Sequence, residues 1–162
     1  MSLRVGVLTV SDLGAAGARE DRSGAEVVSW ARGRGAEVTA RDTVPDETDR
    51  IAQVLCRWAD DDVADVLITT GGTGLAPRDV TPEATRAVLD REAPGIAEAI
   101  RAASLPTVPR AALSRGVAGL RGHVLIVNLP GSPSGVRDGL AVLDPLVEHA
   151  VQLVRERPVD HA

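Results

Sequence analysis

The fold of this chain is decided by residues 66–83, which have the sequence VLITTGGTGLAPRDVTPE. The first five residues form a short apolar run rich in β-branched side chains, a pattern typical of a strand covered on both faces in a parallel sheet. Gly71, Gly72 and Gly74 follow at once. Glycine permits positive φ angles and close approach to backbone N–H groups, so this loop can form an anion-binding nest.

The second half of the stretch predicts the start of a helix. We expect Thr81 to be the N-cap, with Pro82 at the first helical position and Glu83 in the first turn. Asp79 lies between the loop and this helix. Because a carboxylate beside a phosphate-binding loop repels phosphate unless a cation intervenes, its position suggests Mg²⁺ together with a phosphorylated ligand. The alternative is a plain glycine turn in which Asp79 only caps the helix.

The composition predicts one domain over residues 1–162, long enough to enclose a hydrophobic core. Apolar residues make up 44% and charged residues 25%, close to the averages of globular proteins. The net charge of -5 argues against nucleic-acid or anionic-membrane partners, which need clustered positive charge. The sequence contains no lysine, so a lysine Schiff base is excluded and any fixed positive charge must be arginine.

The cysteine content and hydropathy predict a cytoplasmic protein. Cys56 is the single cysteine and cannot form an internal disulfide, which suits a reducing compartment. No basic-then-apolar leader precedes the first predicted strand, and no apolar run approaches the ~20 residues needed to span a bilayer.

Strands and helices alternate along the sequence. Strands are predicted at residues 3–10, 37–44, 66–70 and 123–129, and helices at residues 23–35, 46–59, 82–91, 96–103 and 136–154, the last broken at Pro145. Residues 11–23 are predicted as a loop, and residues 111–120 as one or two helical turns. This alternation predicts a three-layer α/β fold with a mostly parallel sheet and helices on both faces.

Ligands of such folds bind at the carboxyl ends of the strands, near a topological switch point. Four segments should therefore meet at one edge: Ser11 with Asp12, Asp46, residues 71–79 and residues 131–134. Asp46 and Asp79 could face each other there. Two carboxylates about 4 Å apart repel by roughly 4 kcal/mol at an effective dielectric constant near 20, so such a pair needs a cation or a shared proton. The alternative is that both are independent helix caps.

Three motifs together resemble the molybdopterin adenylyltransferase family of molybdenum-cofactor biosynthesis. They are TTGGTG at residues 69–74, RDVTPE at residues 78–83 and NLPGSP at residues 128–133. The resemblance covers nearly the whole chain and includes Pro45-Asp46-Glu47 and Leu113-Ser114-Arg115.

The resemblance implies a three-layer α/β enzyme, usually a homotrimer and in some subgroups a hexamer, that transfers AMP from ATP to the terminal phosphate of molybdopterin. It assigns Asp46 and Asp79 to Mg²⁺ binding and catalysis, Thr73 to the substrate loop and Ser104 to the pterin site. It also allows contact with a molybdenum-insertion protein. The candidate substrate-binding residues are Ser11, Asp12, Gly71, Gly72, Thr73, Gly74, Arg78, Ser104, Ser114, Arg115, Pro130, Gly131 and Ser132.

Two other functions remain open at this point. One is a non-catalytic molybdopterin-binding or assembly module of the same fold, against which the intact Asp46 and Asp79 argue. The other is a nucleotide pyrophosphatase of the competence-damage type. The glycine loop of that group is typically followed by two acidic residues, whereas here Arg78 precedes a single Asp79.

Overall fold

A computed structural model of the protein describes residues 2–158 and contains one six-stranded sheet. The strands are β1 (Arg4–Val10), β2 (Glu37–Val44), β3 (Val66–Thr70), β4 (Arg91–Glu92), β5 (Ala118–Arg121) and β6 (Val124–Leu129). Their order across the sheet is β2-β1-β3-β6-β5-β4. Strands β2, β1, β3 and β6 run parallel to one another. Strand β5 is antiparallel to β6 and to β4, and β5 and β4 form one edge of the sheet. The predicted mostly parallel sheet is therefore confirmed.

Helices cover both faces of this sheet. They are α1 (Asp12–Ala15), α2 (Arg22–Gly33), α3 (Thr48–Asp60), α4 (Thr81–Val88), α5 (Pro94–Ser104), α6 (Pro133–Leu143) and α7 (Val147–Val154), with a 3₁₀ helix at Pro109–Leu113. The apolar side chains of α2, α5, α6 and α7 pack on one face, and those of α3 and α4 on the other. This arrangement confirms the three-layer fold. Within residues 2–158, no helix is both long enough and apolar enough to cross a lipid bilayer.

The two faces are separated by the alternation of side chains along each strand. In β1, Val5 and Val7 point to one layer, while Leu8 points to the other. In β3, Ile68 and Leu67 divide in the same way. Successive side chains of a strand point to opposite faces, so an uninterrupted apolar run fills two cores at once.

Several predicted boundaries are wrong. Residues 11–23 are not all loop, because α1 begins at Asp12. Asp46 does not open α3, which begins two residues later at Thr48. Thr81 is the first residue of α4 and not its N-cap, which is Val80. The hydroxyl of Thr81 accepts no N–H of its own helix and instead donates to the carbonyl of Gly71. The break at Pro145 is confirmed, because α6 and α7 lie on either side of it.

Neither strand of the antiparallel edge, β4 or β5, was predicted from the sequence. The helical prediction for residues 111–120 holds only for residues 111–113, the end of the 3₁₀ helix, because β5 begins at Ala118. α4 ends at Val88, short of residue 91. Arg91 in β4 pairs with Leu120 in β5. A Cβ on Gly119 would collide with the carbonyl oxygen of Arg91, so glycine at this position allows the short strand to approach.

The chain order creates a switch point beside β1. From β1 the chain proceeds to β2 on one side and then to β3 on the other side. The carboxyl ends of β1 and β3 therefore diverge into a crevice of the kind that binds ligands in open α/β sheets. The four segments predicted to meet follow β1, β2, β3 and β6, which are parallel neighbours, so they lie along one edge.

Asp65 lies at the opposite end of the sheet, directly before β3. Its side chain is 1% exposed and accepts hydrogen bonds from the backbone N–H of Arg4 at 2.8 Å and from that residue's Nη2 at 3.1 Å. The Nε atom of Arg155 lies 2.8 Å from the same carboxylate. Asp65 thus joins the start of β1 to the end of α7, away from the crevice.

Candidate active site

The glycine loop adopts the conformation that its sequence predicts. Gly71 and Gly72 have φ angles of 93° and 69°, a region that side chains other than glycine rarely occupy. A Cβ on Gly71 would collide with the carbonyl oxygen of Val10, and one on Gly72 with the hydroxyl of Thr81. Glycine is therefore required at both positions for the loop to lie this close to β1 and α4.

A second loop reaches the same place from β6. A Cβ on Gly131 would lie 3.3 Å from the Cα of Gly71, so the two loops touch through their backbones. Ser132 is the N-cap of α6 and accepts a hydrogen bond from the N–H of Gly135 at 3.2 Å, with Pro133 at the first helical turn. The N-terminus of α6 is thereby held beside the glycine loop.

Asp12 and Asp46 join the ends of β1 and β2. The N–H of Asp12 donates to Oδ2 of Asp46 at 2.9 Å, and the N–H of Asp46 donates to Oδ1 of Asp12 at 2.9 Å. Ser11 caps α1 by accepting a hydrogen bond from the N–H of Gly14 at 3.0 Å. Asp46 is therefore fixed by the neighbouring strand and not by a helix, which excludes its role as a helix cap.

Arg78 pairs with Asp12. Its Nε and Nη2 atoms lie 2.6 and 2.9 Å from the two carboxylate oxygens, in the bidentate geometry that guanidinium groups favour. This hydrogen bonding holds the pKa of the Asp12 carboxyl below its usual range, with the N–H of Asp46 contributing in the same direction. In this structure Arg78 holds a loop in place, and its role as a phosphate ligand stays a prediction.

Arg115 holds the glycine loop from its other side. Its Nε donates to the carbonyl of Gly74 at 2.8 Å and its Nη2 to the carbonyl of Asp79 at 2.6 Å. Its Nη1 forms an ion pair with Glu83 in the first turn of α4. The backbone N–H of Arg115 also bonds the carbonyl of Thr73 at 2.8 Å. Arg115 thus fixes both ends of the segment that carries Asp79.

The Asp46 carboxyl differs electrostatically from Asp12. Partial burial raises its pKa above the ordinary value, and the nearby negative charges of Asp12 and Asp79 raise it further. The hydrogen bond from the N–H of Asp12 and the more distant charge of Arg78 oppose this rise only in part. The charge of Asp79 therefore acts on Asp46, and both residues line the same cavity.

Two cavities adjoin at Asp79. The crevice cavity, of about 280 Å³, lies at the switch point and is lined by Ser11, Asp21, Asp46 and Gly71 among others. The wide cavity, of about 610 Å³, is lined by residues of the α5 end, the 3₁₀ helix and the α6 start, including Ser104, Ser114 and Ser132. Gly72, Asp79 and Gly131 line both cavities.

The structure thus brings most of the predicted site residues together. Thr73, Gly74 and Pro130 line the wide cavity with the three serines named above. Asp12 and Arg115 line neither cavity but hydrogen-bond to residues that do, and Arg78 pairs with Asp12. Sequence reasoning missed Asp21, Arg101 and Arg110. Asp21 caps α2 and lines the crevice cavity, and both arginines line the wide cavity. Only Asp21 carried a local signal, since it directly precedes a helix.

The acidic pair suits a hard divalent cation. Asp46 accepts a protein hydrogen bond through Oδ2, and Asp79 likewise accepts one from the N–H of Ala76 through Oδ2. Among residues 2–158, neither Oδ1 atom receives a protein hydrogen bond. No cluster of three or more His, Cys, Asp or Glu side chains encloses a metal ion within this range. Mg²⁺ is typically held by one or two carboxylates with waters and substrate phosphates, so these two residues fit it.

Fold and site define a three-layer α/β protein whose two cavities share a glycine loop and Asp79. Residues 6–149 match the family described as a probable molybdopterin binding domain, and the chain belongs to this molybdenum-cofactor biosynthesis family. The molybdopterin adenylyltransferase of Helicobacter pylori is 41% identical over 156 residues, covering 94% of this chain and 88% of that protein. The family identification made from the three motifs is confirmed.

Longer relatives and solved structures agree with this assignment. The protein named gephyrin from Dictyostelium discoideum is 39% identical over 164 residues, covering 95% of this chain, and the chain spans only 23% of that relative's length. The crystal structure of the molybdopterin biosynthesis enzyme MoaB from Thermus thermophilus has 52% identity and a TM-score of 0.91, covering 98% of this chain and 99% of that one.

Proposed function

We propose that the protein is a molybdopterin adenylyltransferase that transfers AMP from ATP to the terminal phosphate of molybdopterin and releases pyrophosphate. The observation that carries this proposal is the pair of cavities that meet at Asp79, Gly72 and Gly131. A transfer between two phosphorylated substrates needs two adjoining binding sites with one shared reaction centre. The names of the relatives supply the identity of the substrates.

The chemistry requires no activated side-chain nucleophile. A terminal phosphate oxygen of molybdopterin attacks the α-phosphorus of ATP, the bond from that phosphorus to the oxygen bridging to the β-phosphate breaks, and pyrophosphate leaves with the electron pair. The protein must therefore position the two phosphates and neutralise their charge. Loop N–H groups can hold a phosphate, and the start of α6 adds the favourable end of a helix dipole.

Asp46 and Asp79 would hold Mg²⁺, since each has a carboxylate oxygen that accepts no hydrogen bond from residues 2–158. The cation, when bound, would neutralise phosphate charge that the two carboxylates would otherwise repel. Asp12 and Arg115 would keep the two acids in place, because each holds the backbone of one of them.

A pyrophosphate-release assay with ATP, molybdopterin and Mg²⁺ tests the proposal. We expect pyrophosphate only when all three are present, and its loss on chelation with EDTA. Binding of molybdopterin without pyrophosphate release would instead indicate a non-catalytic module. Cleavage of a nucleotide pyrophosphate in the absence of molybdopterin would indicate the competence-damage type of activity.

We further propose a cytoplasmic homotrimer, or a hexamer, that passes its product to a molybdenum-insertion protein. Exposed apolar side chains at the mouth of the wide cavity support a protein contact there, since Val108 and Leu113 line that cavity and are 37% and 51% exposed. Light scattering on the purified protein measures the oligomer, and a purely monomeric protein would contradict this part of the proposal.

A further inference from the structure

Thr81 controls the direction of two successive carbonyl groups in the glycine loop. Its hydroxyl donates to the carbonyl of Gly71 at 2.9 Å, and its backbone N–H donates to the carbonyl of Gly72 at 3.1 Å. The side chain of Thr81 is fully buried, so water does not compete for either bond. Both carbonyls therefore point toward the start of α4.

The N–H groups of the same peptide units must point the other way. In a planar trans peptide the C=O and N–H bonds are antiparallel. The N–H groups of Gly72 and Thr73 accordingly point away from Thr81, and no acceptor within residues 2–158 receives them. Gly72 lines both cavities and Thr73 lines the wide one. These two donors are available to an anion at the junction of the cavities.

A buried chain of side chains holds Thr81 in turn. The hydroxyl of Thr85 donates to the carbonyl of Thr81 at 2.8 Å, and Nδ2 of Asn128 donates to that hydroxyl at 3.0 Å. Asn128 uses its other Nδ2 proton on Thr69 at 3.0 Å, and its Oδ1 accepts from the N–H of Val117 at 3.1 Å. Every polar atom of this amide is used, which fixes its orientation.

We infer that Thr81 is a positioning residue that orients the N–H groups of Gly72 and Thr73 toward a substrate phosphate, and that Thr85 and Asn128 hold Thr81 in that position. The inference rests on the proposed function, which places a phosphate at this loop. It explains why Asn128 and Thr81, both in the motifs that mark the family, are buried and do not line either cavity.

Inorganic pyrophosphate is the probe for the test, because its binding does not require turnover. In the ¹⁵N-labelled wild-type protein, we expect pyrophosphate to shift the amide resonances of Gly72 and Thr73 more than those of the sheet. Calorimetry should show that Thr81→Val weakens pyrophosphate binding by about tenfold, the scale of one hydrogen bond to a charged group. Thr81→Ser, which keeps the hydroxyl, should stay within about twofold of wild type.

Thr39→Val is the matched control. The hydroxyl of Thr39 is buried and has no hydrogen-bond partner among the described residues, so its removal should leave pyrophosphate binding unchanged. Should Thr81→Val fail to fold, Thr85→Val tests the same chain one step further from the loop and should weaken binding in the same direction.

The inference is overturned if pyrophosphate moves neither amide, or if folded Thr81→Val or Thr85→Val binds it like wild type. These outcomes are independent of adenylyl transfer. A protein without transferase activity can still show the amide shifts and the weakened binding, in which case the proposed function fails while the role of Thr81 stands. In an active enzyme, Thr81→Val should also lower kcat, and Thr81→Ser should restore it.

Discussion

Asp12 and Asp46 exchange hydrogen bonds, each backbone N–H donating to the other residue's carboxylate at 2.9 Å. The two acids differ because the guanidinium of Arg78 pairs only with Asp12. Asp46, partly buried and close to the charges of Asp12 and Asp79, keeps a raised pKa. The reciprocal bonds thus hold a carboxyl group where its ionisation is less favourable than in the unfolded chain.

The raised pKa of Asp46 predicts that Asp46→Asn stabilises the metal-free protein at neutral pH. Since the native-state pKa lies above that of the unfolded chain, the native state binds more protons between the two values, and stability falls as pH rises through this interval. The Asp46→Asn side chain does not ionise, so the variant does not lose this stability as pH rises. Thermal unfolding without Mg²⁺ should show a higher midpoint for the variant at pH 7 and no advantage below the unfolded-state pKa of about 3.9.

Asp61→Asn serves as the control for this pH series, because Asp61 is an exposed residue after α3. Its unfolding midpoint should follow that of wild type across the range. A midpoint of Asp46→Asn below wild type at pH 7 would mean that the carboxylate contributes more to the native state than its electrostatic cost.

Asp79→Asn should leave the fold intact and reduce adenylyl transfer by at least about a hundredfold, the scale of losing one electrostatic contact to a transition state. The amide of the new side chain keeps an oxygen that can accept from the N–H of Ala76, so the loop geometry survives. Pyrophosphate release and circular dichroism measure the two effects. Turnover at the wild-type rate would remove Asp79 from the mechanism.

Arg115→Lys should lower kcat by roughly tenfold, because one ammonium group cannot reproduce a planar fork that reaches the carbonyls of both Gly74 and Asp79. Arg86→Lys is the matched substitution. Arg86 forms one exposed ion pair with Glu92, and such surface pairs contribute little. Equal activities of the two variants would show that the loop does not depend on Arg115.

Asp65→Ala should destabilise the protein by on the order of 3 kcal/mol, because the change removes the buried carboxylate that pairs with both Arg4 and the largely buried Arg155, and leaves Arg155 only the exposed carboxylate of Asp62. Urea unfolding measures the loss. At low temperature, where the variant is still folded, its turnover should match wild type, since Asp65 lies at the end of the sheet away from the crevice. A fall in kcat at that temperature would show that the contacts at the start of the parallel strands affect the site at their carboxyl ends.

The parallel part of the fold could be predicted because its signal is local. The run from Val66 to Thr70 is apolar on both faces, and the strand occupies the predicted residues. The edge strands were harder to predict, because β5 is only four residues long and begins with two small residues, while β4 has two residues and pairs with β5 across a segment that contains α5. Gly119 carries no strand preference of its own, and only the approach of Arg91 explains it.

The site was predictable in its parts but not in its contacts. Parallel topology was enough to bring Asp46 and Asp79 to one edge. The partner of Arg78 lies 66 positions away in sequence, and nothing local indicates that Asp12 receives it. Thr81 has the sequence context of a helix cap, yet its hydroxyl donates to the carbonyl of Gly71 in the glycine loop. A contact between two elements of the fold therefore overrides the local preference.

The backbone contact between Gly71 and Gly131 means that the site can form during synthesis only after residue 131 has been made. The glycine loop after β3 leaves the ribosome before β4, β5, β6 and the turn that follows β6 have been made. A nascent chain stalled before residue 131 has the acidic pair and the loop without the wall that closes the second cavity. We expect such chains to lack the junction of the two cavities, which can form only once Gly131 has left the ribosome.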